Sequence, residues 1–391
     1  MNATLNRTLL AIALIISLFA GDATGQTVKV GGLGYVDYFY RFGDDDETAL
    51  WQKPKDNLWD SDRDATINDA FHGFTYRRLY LTTDAAISER FRARFRLEAS
   101  DSKVGSGGPV PFVKDMWIDW KYTDDHSARL GVMPPPVFQL SEGVWGYRSL
   151  EKTILDLQGV NSSRDFGIRF DGPVPVRGDL VRYAVMLANG NGNRADDDKY
   201  KKGYAQISIH PSDKLVFSVG ADYEKYLDDF IIEGDIDISR PYRKMRTSVF
   251  GGYEGDIVRF GLEAFLYELK LEEEQAYTVR SENAAGFIET ASYEPLNRLS
   301  GISVFGSIRL NPLVEFVGRL DLTRNDGEFG RIDPLLNETF VLAGMAFAPH
   351  ENVRIIPNLW WFGSDYQEGD EREFSRKGKN RMGRVTIEVS F

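Results

Sequence analysis

Apolar and polar positions alternate along most of this chain with a period of two. In RFRARFRLE, residues 90–98, Phe91, Ala93, Phe95 and Leu97 interleave with Arg92, Arg94, Arg96 and Glu98. Such alternation puts successive side chains on opposite faces of a β-strand. Segments of about ten residues with this pattern, about sixteen in all, run from VKVGGLGYVDYFYRF (Val28 to Phe42) to RMGRVTIEVSF at the C-terminus. The connections are by turns long and short. Short ones centre on Ser88, Asp124, Pro173 to Asp179, Pro211, Gly255, Pro312 and Pro349. An even number of amphipathic strands with short turns on one side and long loops on the other predicts an all-β fold, a transmembrane antiparallel β-barrel of about 16 strands. A β-sandwich also alternates, but it does not keep a strict long–short order and needs gatekeepers on its edge strands.

The N-terminus gives an address. Arg7 precedes the apolar run LLAIALIISLFA (Leu9 to Ala20), and GDATGQ follows with small residues around Ala23 and Gly25. That pattern is a signal peptide over residues 1–25, cleaved after Gly25. The run is short of the ~20 residues a spanning helix needs. Residues 26–391 are then one exported barrel domain in a bacterial outer membrane, in contact with outer-membrane lipids and lipopolysaccharide. If the first strand runs outward, every short turn is periplasmic. Aromatics near strand ends (Tyr38, Tyr40, Tyr80, Trp120, Tyr122, Tyr183, Trp360, Trp361) fit the girdles of such barrels.

Composition removes several chemistries. The chain has no Cys and a formal net charge of −12. No disulfide, thiolate metal site, thiol nucleophile or lipid-anchored Cys is available. An acidic chain of this balance is not a nucleic-acid binder. The four histidines are scattered, no metal-ligand spacing or phosphate loop is present, and nothing calls for a cofactor. In ANGNGNRADDDKY (Ala188 to Tyr200) alternating asparagines precede three aspartates, but the spacing is not that of an EF-hand. A Gly/Asn-rich turn explains it. The acidic runs at Asp44 to Asp46 and Glu272 to Glu274 read as solvated outer loops.

The arginine row is the principal candidate for function. An Arg on a lipid face costs about 2–4 kcal/mol near the midplane, so Arg92, Arg94 and Arg96 must face the lumen. A barrel of about sixteen strands leaves an aqueous channel, along which the three guanidiniums stand about 7 Å apart. Arg78, Arg129, Arg169, Arg182 and Arg259 occupy further candidate inward positions. The row either guides anions or pairs with Asp115, Asp119, Asp165 and Glu263 across the wall. The long connection from Pro134 to Ser163 is the third outer loop. Its stretch RSLEKTILDLQ (Arg148 to Gln158) has helical spacing, with Leu150, Ile154 and Leu157 on one face. A loop with its own apolar stripe must bury it, and folding into the barrel as a constriction does so. Glu142, Arg148, Glu151 and Lys152 are then the charges expected to meet permeant solutes.

RLGVMPPPVFQLSEGVWGYRSLEKT, SRDFGIRFDG and the stretch from YAVMLANGNGN to DKLVFSVG together resemble the phosphate-selective porin (O and P porin) family. The resemblance covers about Phe74 to Gly220. It implies a homotrimeric channel in a Gram-negative outer membrane, with inward arginines guiding anions; the scattered histidines separately leave no candidate for catalysis. The final strand ends on Phe391, and a terminal aromatic resembles the signal read by the outer-membrane assembly machinery. A non-conducting barrel serving as scaffold or adhesin is the alternative left open.

Overall fold

The computed structural model describes residues 27–42, 72–100, 104–105, 108–175, 180–196, 198–232, 236–271, 279–282, 288–291, 296–327, 336–366 and 378–391. The leader expected over residues 1–25 and the acidic runs at 44–46 and 272–274 lie outside these residues. Sixteen strands close into one antiparallel barrel. They are β1 (Thr27–Phe42), β2 (His72–Ala86), β3 (Phe91–Ala99), β4 (Phe112–Lys121), β5 (Ser127–Met133), β6 (Asp165–Pro173), β7 (Val181–Ala188) and β8 (Lys202–Ser212). The second half comprises β9 (Leu215–Ile232), β10 (Ile236–Glu254), β11 (Val258–Leu271), β12 (Leu296–Asn311), β13 (Val314–Gly327), β14 (Leu336–His350), β15 (Val353–Tyr366) and β16 (Gly378–Ser390). Each strand pairs with its chain neighbours, and β1 pairs with β16 over Leu33 to Phe42, so no edge is left open.

The sequence periodicity is carried directly into this wall. Outward positions hold Phe91, Met116, Ile118, Leu130, Leu187, Val219, Val249, Phe260 and Leu359, all exposed. Polar neighbours in the alternation, such as Asp115, Asp119, Asp222, Glu263 and Asp321, are buried on the inside. The protein is thus inverted relative to a soluble domain: its apolar face points out and its polar face in. Aromatic rings cluster at both ends of the outer face. Tyr38 packs on Phe74 at 4.9 Å near the long-loop end. Phe91, Trp120, Tyr122, His126 and Tyr183 follow one another at 5.8–6.2 Å by the short turns. Two of the expected girdle residues do not belong to it. Tyr80 meets Tyr35 and the Arg96 guanidinium inside, and Trp360 is buried against Phe340 and Arg384, because strand parity outranks residue type in deciding the face.

The wall is uneven in height. β3 to β7 have 7–10 residues, whereas β9 to β16 have 13–19. The connection expected over Glu224 to Arg240 is largely strand, because β9 and β10 stay paired out to Ile232 and Ile236. The third loop turns into the lumen and carries two short helices, α1 (Gln139–Trp145) and α2 (Ile154–Leu157). A single helix over 148–158 does not form.

Candidate functional site

Arg92, Arg94 and Arg96 all point into the lumen, as the cost of arginine on the lipid face requires. None stands alone. Arg94 makes two hydrogen bonds to Asp84 on β2, at 2.6 and 2.9 Å. Arg92 reaches Asp119 on β4 at 2.9 Å, and Arg129 of β5 reaches the same carboxylate at 3.2 Å. Arg96 lies 3.3 Å from Asp115, which also accepts from Arg164. Four arginines therefore share two aspartates. The carboxylates are 0% and 1% exposed, while the Arg92 and Arg96 side chains are 52% and 24% exposed. Water in the lumen meets guanidinium in front and finds the compensating charge behind it. Trp117 stiffens the group, with the Arg129 guanidinium 4.2 Å from its ring centre.

Two β-bulges bring charges that alternation alone does not place. The pairing of β1 with β2 slips between Tyr35 and Val36, which makes Arg77 an extra residue, so Arg77 and Arg78 both face inward. Arg77 is buried on Asp37, whereas Arg78 bonds the Tyr80 hydroxyl at 3.2 Å. A second slip between Arg96 and Leu97 makes Lys114 the extra residue beside Asp115. Lys114 sits 3.0 Å from Glu98 and 3.0 Å from the Ser163 hydroxyl. These bulges add two loop-contacting cations that strict alternation does not place inside. A break in strict alternation at YRRLY and FVKDM is the one sequence signal that marks them.

The loop packs against the inner wall at two places. Trp145, Tyr147, Leu150 and Leu157 pack with Phe250, Phe305, Phe340 and Leu342, and Ile154 and Leu155 pack with Met133, Met186 and Phe265. Fully burying each such side chain stabilises the arrangement by about 1.5–3 kcal/mol. The loop backbone is then held by guanidiniums from around the barrel. Arg77 donates to the carbonyls of Ser149 and Leu150, Arg384 to Leu150 at 2.8 Å, and Arg319 to Lys152. Arg354 donates to Gly146 at 3.2 Å, and Arg169 to Pro134 at 3.2 Å. Gly146 has φ +66, and a Cβ there would run into Arg259.

The expected constriction charges divide. Glu142 and Arg148 stay partly exposed; Arg148 lies 3.0 Å from Glu142 and 2.9 Å from Asp156. Arg148 looks toward the arginine wall, close enough for the Arg78 charge to act on it. Glu151 and Lys152, expected beside it, are buried: the Lys152 carbonyl accepts from Arg319, the Glu151 carbonyl from the Trp145 indole at 2.8 Å, and the Glu151 carboxylate from the Lys152 amide at 2.8 Å. Arg169 is buried on Asp171 and Gln139 and fixes the start of the loop, so it does not line the path. Arg182, the second residue of β7, faces inward at the short-turn end, away from the loop. Asp165 accepts from Tyr204 and the Gly190 amide instead of an arginine. Tyr147 bonds Glu315, and burial first, then that carboxylate, pushes its phenol above the ordinary value. Among the described residues no group of His, Cys, Asp and Glu is placed to hold a metal ion.

A sixteen-stranded barrel with its third loop folded inside is a fold shared with solved outer-membrane channels. No family model matches the chain, and no curated protein matches it in sequence. Solved structures match in fold. The outer membrane channel DcaP of Acinetobacter baumannii is 12% identical, with TM-score 0.60 over 94% of this chain and 98% of that one. OmpT of Vibrio cholerae is 11% identical, with TM-score 0.59 over 95% and 99%. An anion-selective porin from Comamonas acidovorans is 12% identical, with TM-score 0.58 over 94% and 100%.

Proposed function

We propose that the chain is exported by its leader to a Gram-negative outer membrane and forms a water-filled channel there. Small hydrophilic solutes cross it by passive diffusion, with a preference for anions, phosphate among them. The observation that carries this reading is the sharing of Asp119 and Asp115 by four arginines on the inner wall of a barrel whose third loop turns into the lumen. A fixed positive surplus at a constriction attracts anions and lets them leave again, because no single site holds them tightly. The anion-selective porin from Comamonas acidovorans, similar in fold, fits the same reading. No step in it requires catalysis or a cofactor.

The low arc of wall, β3 to β7, is the face proposed to pack in a homotrimer, where neighbouring copies replace lipid. One form of the Vibrio cholerae OmpT similar in fold is described as a trimer. Phe391, exposed beyond β16, is the group proposed to meet the assembly machinery, and lipopolysaccharide surrounds the rest of the rim. The test is a planar-bilayer recording of the purified protein. We expect ion conductance with a reversal potential on the anion side under a tenfold KCl gradient. A protein that inserts and does not conduct is the scaffold alternative.

A further inference from the structure

At the short-turn end lies a half-open cavity of about 270 Å³, lined by Tyr147 of the loop and the wall from β11 to β15. It is slightly smaller than ordinary ligand pockets, which begin at about 300 Å³, and so suits a small molecule. Its lining has two unlike halves. Arg259, Arg309 and Arg354 supply one, with Glu315 as the single carboxylate in the lining. Leu313, Val314, Ala346 and Ala348 supply the other.

Arg309 has donors to spare, whereas Arg354 is already committed to Glu388 and the Gly146 carbonyl. Arg354 is held by Glu388 and stands 4.9 Å from the Tyr147 ring centre, and Arg259 lies 3.1 Å from Glu254. Arg309 has only a 3.4 Å approach to Glu315 and is 44% exposed. That approach is longer than the 2.7–2.9 Å of a good charge-assisted bond, and a guanidinium carries five N–H donors. Glu315 itself is already occupied by Ser307 and Tyr147. An inorganic anion would satisfy the cationic half but leave the apolar half wet. We infer that this cavity binds a small organic carboxylate with a compact apolar body, its carboxylate on Arg309 and its body against Leu313 and Ala348. The inference rests on the channel reading for its route of access.

The test is calorimetric titration of the detergent-purified protein with benzoate and, separately, with inorganic phosphate. Benzoate is expected to bind saturably at one site per chain, and phosphate at least about ten-fold more weakly. Arg309→Ala should weaken benzoate about ten-fold, the loss of one charge-assisted contact. Ala348→Trp, which fills the cavity, should abolish binding. Each variant is checked for heat-modifiable gel mobility, and Leu313→Trp replaces a filling variant that does not fold. Absence of benzoate binding, equal binding in the variants, or phosphate bound as tightly as benzoate would overturn the inference. A channel that conducts but binds no benzoate leaves the channel reading intact, and one that binds benzoate without conducting overturns the channel reading alone.

Discussion

At the scale of single residues the proposed selectivity of the lumen turns on which charges lack a private partner. Arg94 has one, Asp84, and the pair is locally neutral. Arg92 has none, since Asp119 is shared with Arg129. A unit charge about 8 Å from a passing ion contributes about 0.5 kcal/mol in water-like dielectric, a factor of about two in permeability ratio. Arg92→Ala is therefore expected to lower the anion-to-cation permeability ratio about two-fold, read as a reversal potential in a tenfold KCl gradient. Arg94→Ala should do the same by uncovering Asp84, Asp84→Asn should raise the ratio, and the double variant Arg94→Ala with Asp84→Ala should return near the parent. A reversal potential unmoved by Arg92→Ala would remove these arginines from the selectivity mechanism. The inward direction of this row was legible from alternation, because lipid forbids the other face. Arg77 and Lys114 were not, because strict alternation assigns the lumen to one of any two adjacent residues and a bulge admits both.

The inward loop is the element that narrows the barrel, and guanidinium-to-carbonyl bonds from the wall add to the apolar packing that holds it. The sequence stripe of Leu150, Ile154 and Leu157 correctly marks residues that bury, but not as one helical face. Leu150 and Leu157 join the cluster around Trp145, and Ile154 joins the one around Met133. The carbonyls of Ser149, Leu150 and Lys152 bond Arg77, Arg384 and Arg319, and a carbonyl turned to a wall arginine is not available to an amide four residues on. Helical spacing in a sequence reports local preference, and those three arginines are distant in the chain. Arg319 is the strongest of the anchors: it is fully buried and bonds both Asp321 and the loop. Arg319→Ala leaves Asp321 buried without its cation, a cost of about 3–5 kcal/mol. Thermal unfolding in detergent should fall accordingly. In bilayers the same variant should show larger and noisier single-channel conductance, because Lys152 loses its tether. Gly146→Val, which forces a side chain against Arg259 and strains a left-handed backbone, should raise conductance noise by the same route. Unchanged conductance in both variants would mean that the apolar clusters alone hold the loop.

For the whole molecule the decisive asymmetry is between outside and inside, and it makes a prediction that depends on depth. Val219 is 61% exposed on the outer face of β9, four residues in from Leu215. Four residues on a strand tilted near 45° descend about 10 Å, close to the middle of an apolar band about 25 Å tall. Ile257 is 67% exposed as well, but it sits in the turn between β10 and β11 at the rim. In water the two positions would tolerate arginine alike, since both side chains are already exposed. In a bilayer Val219→Arg should cost about 2–4 kcal/mol and Ile257→Arg about 0–1 kcal/mol. Refolding into phospholipid vesicles, followed by urea titration, should therefore separate the variants clearly, with Val219→Arg folding at much lower urea or not at all. Equal stability of the two would mean that this surface is not immersed in lipid, and the lumen would lose the barrier that makes it a channel.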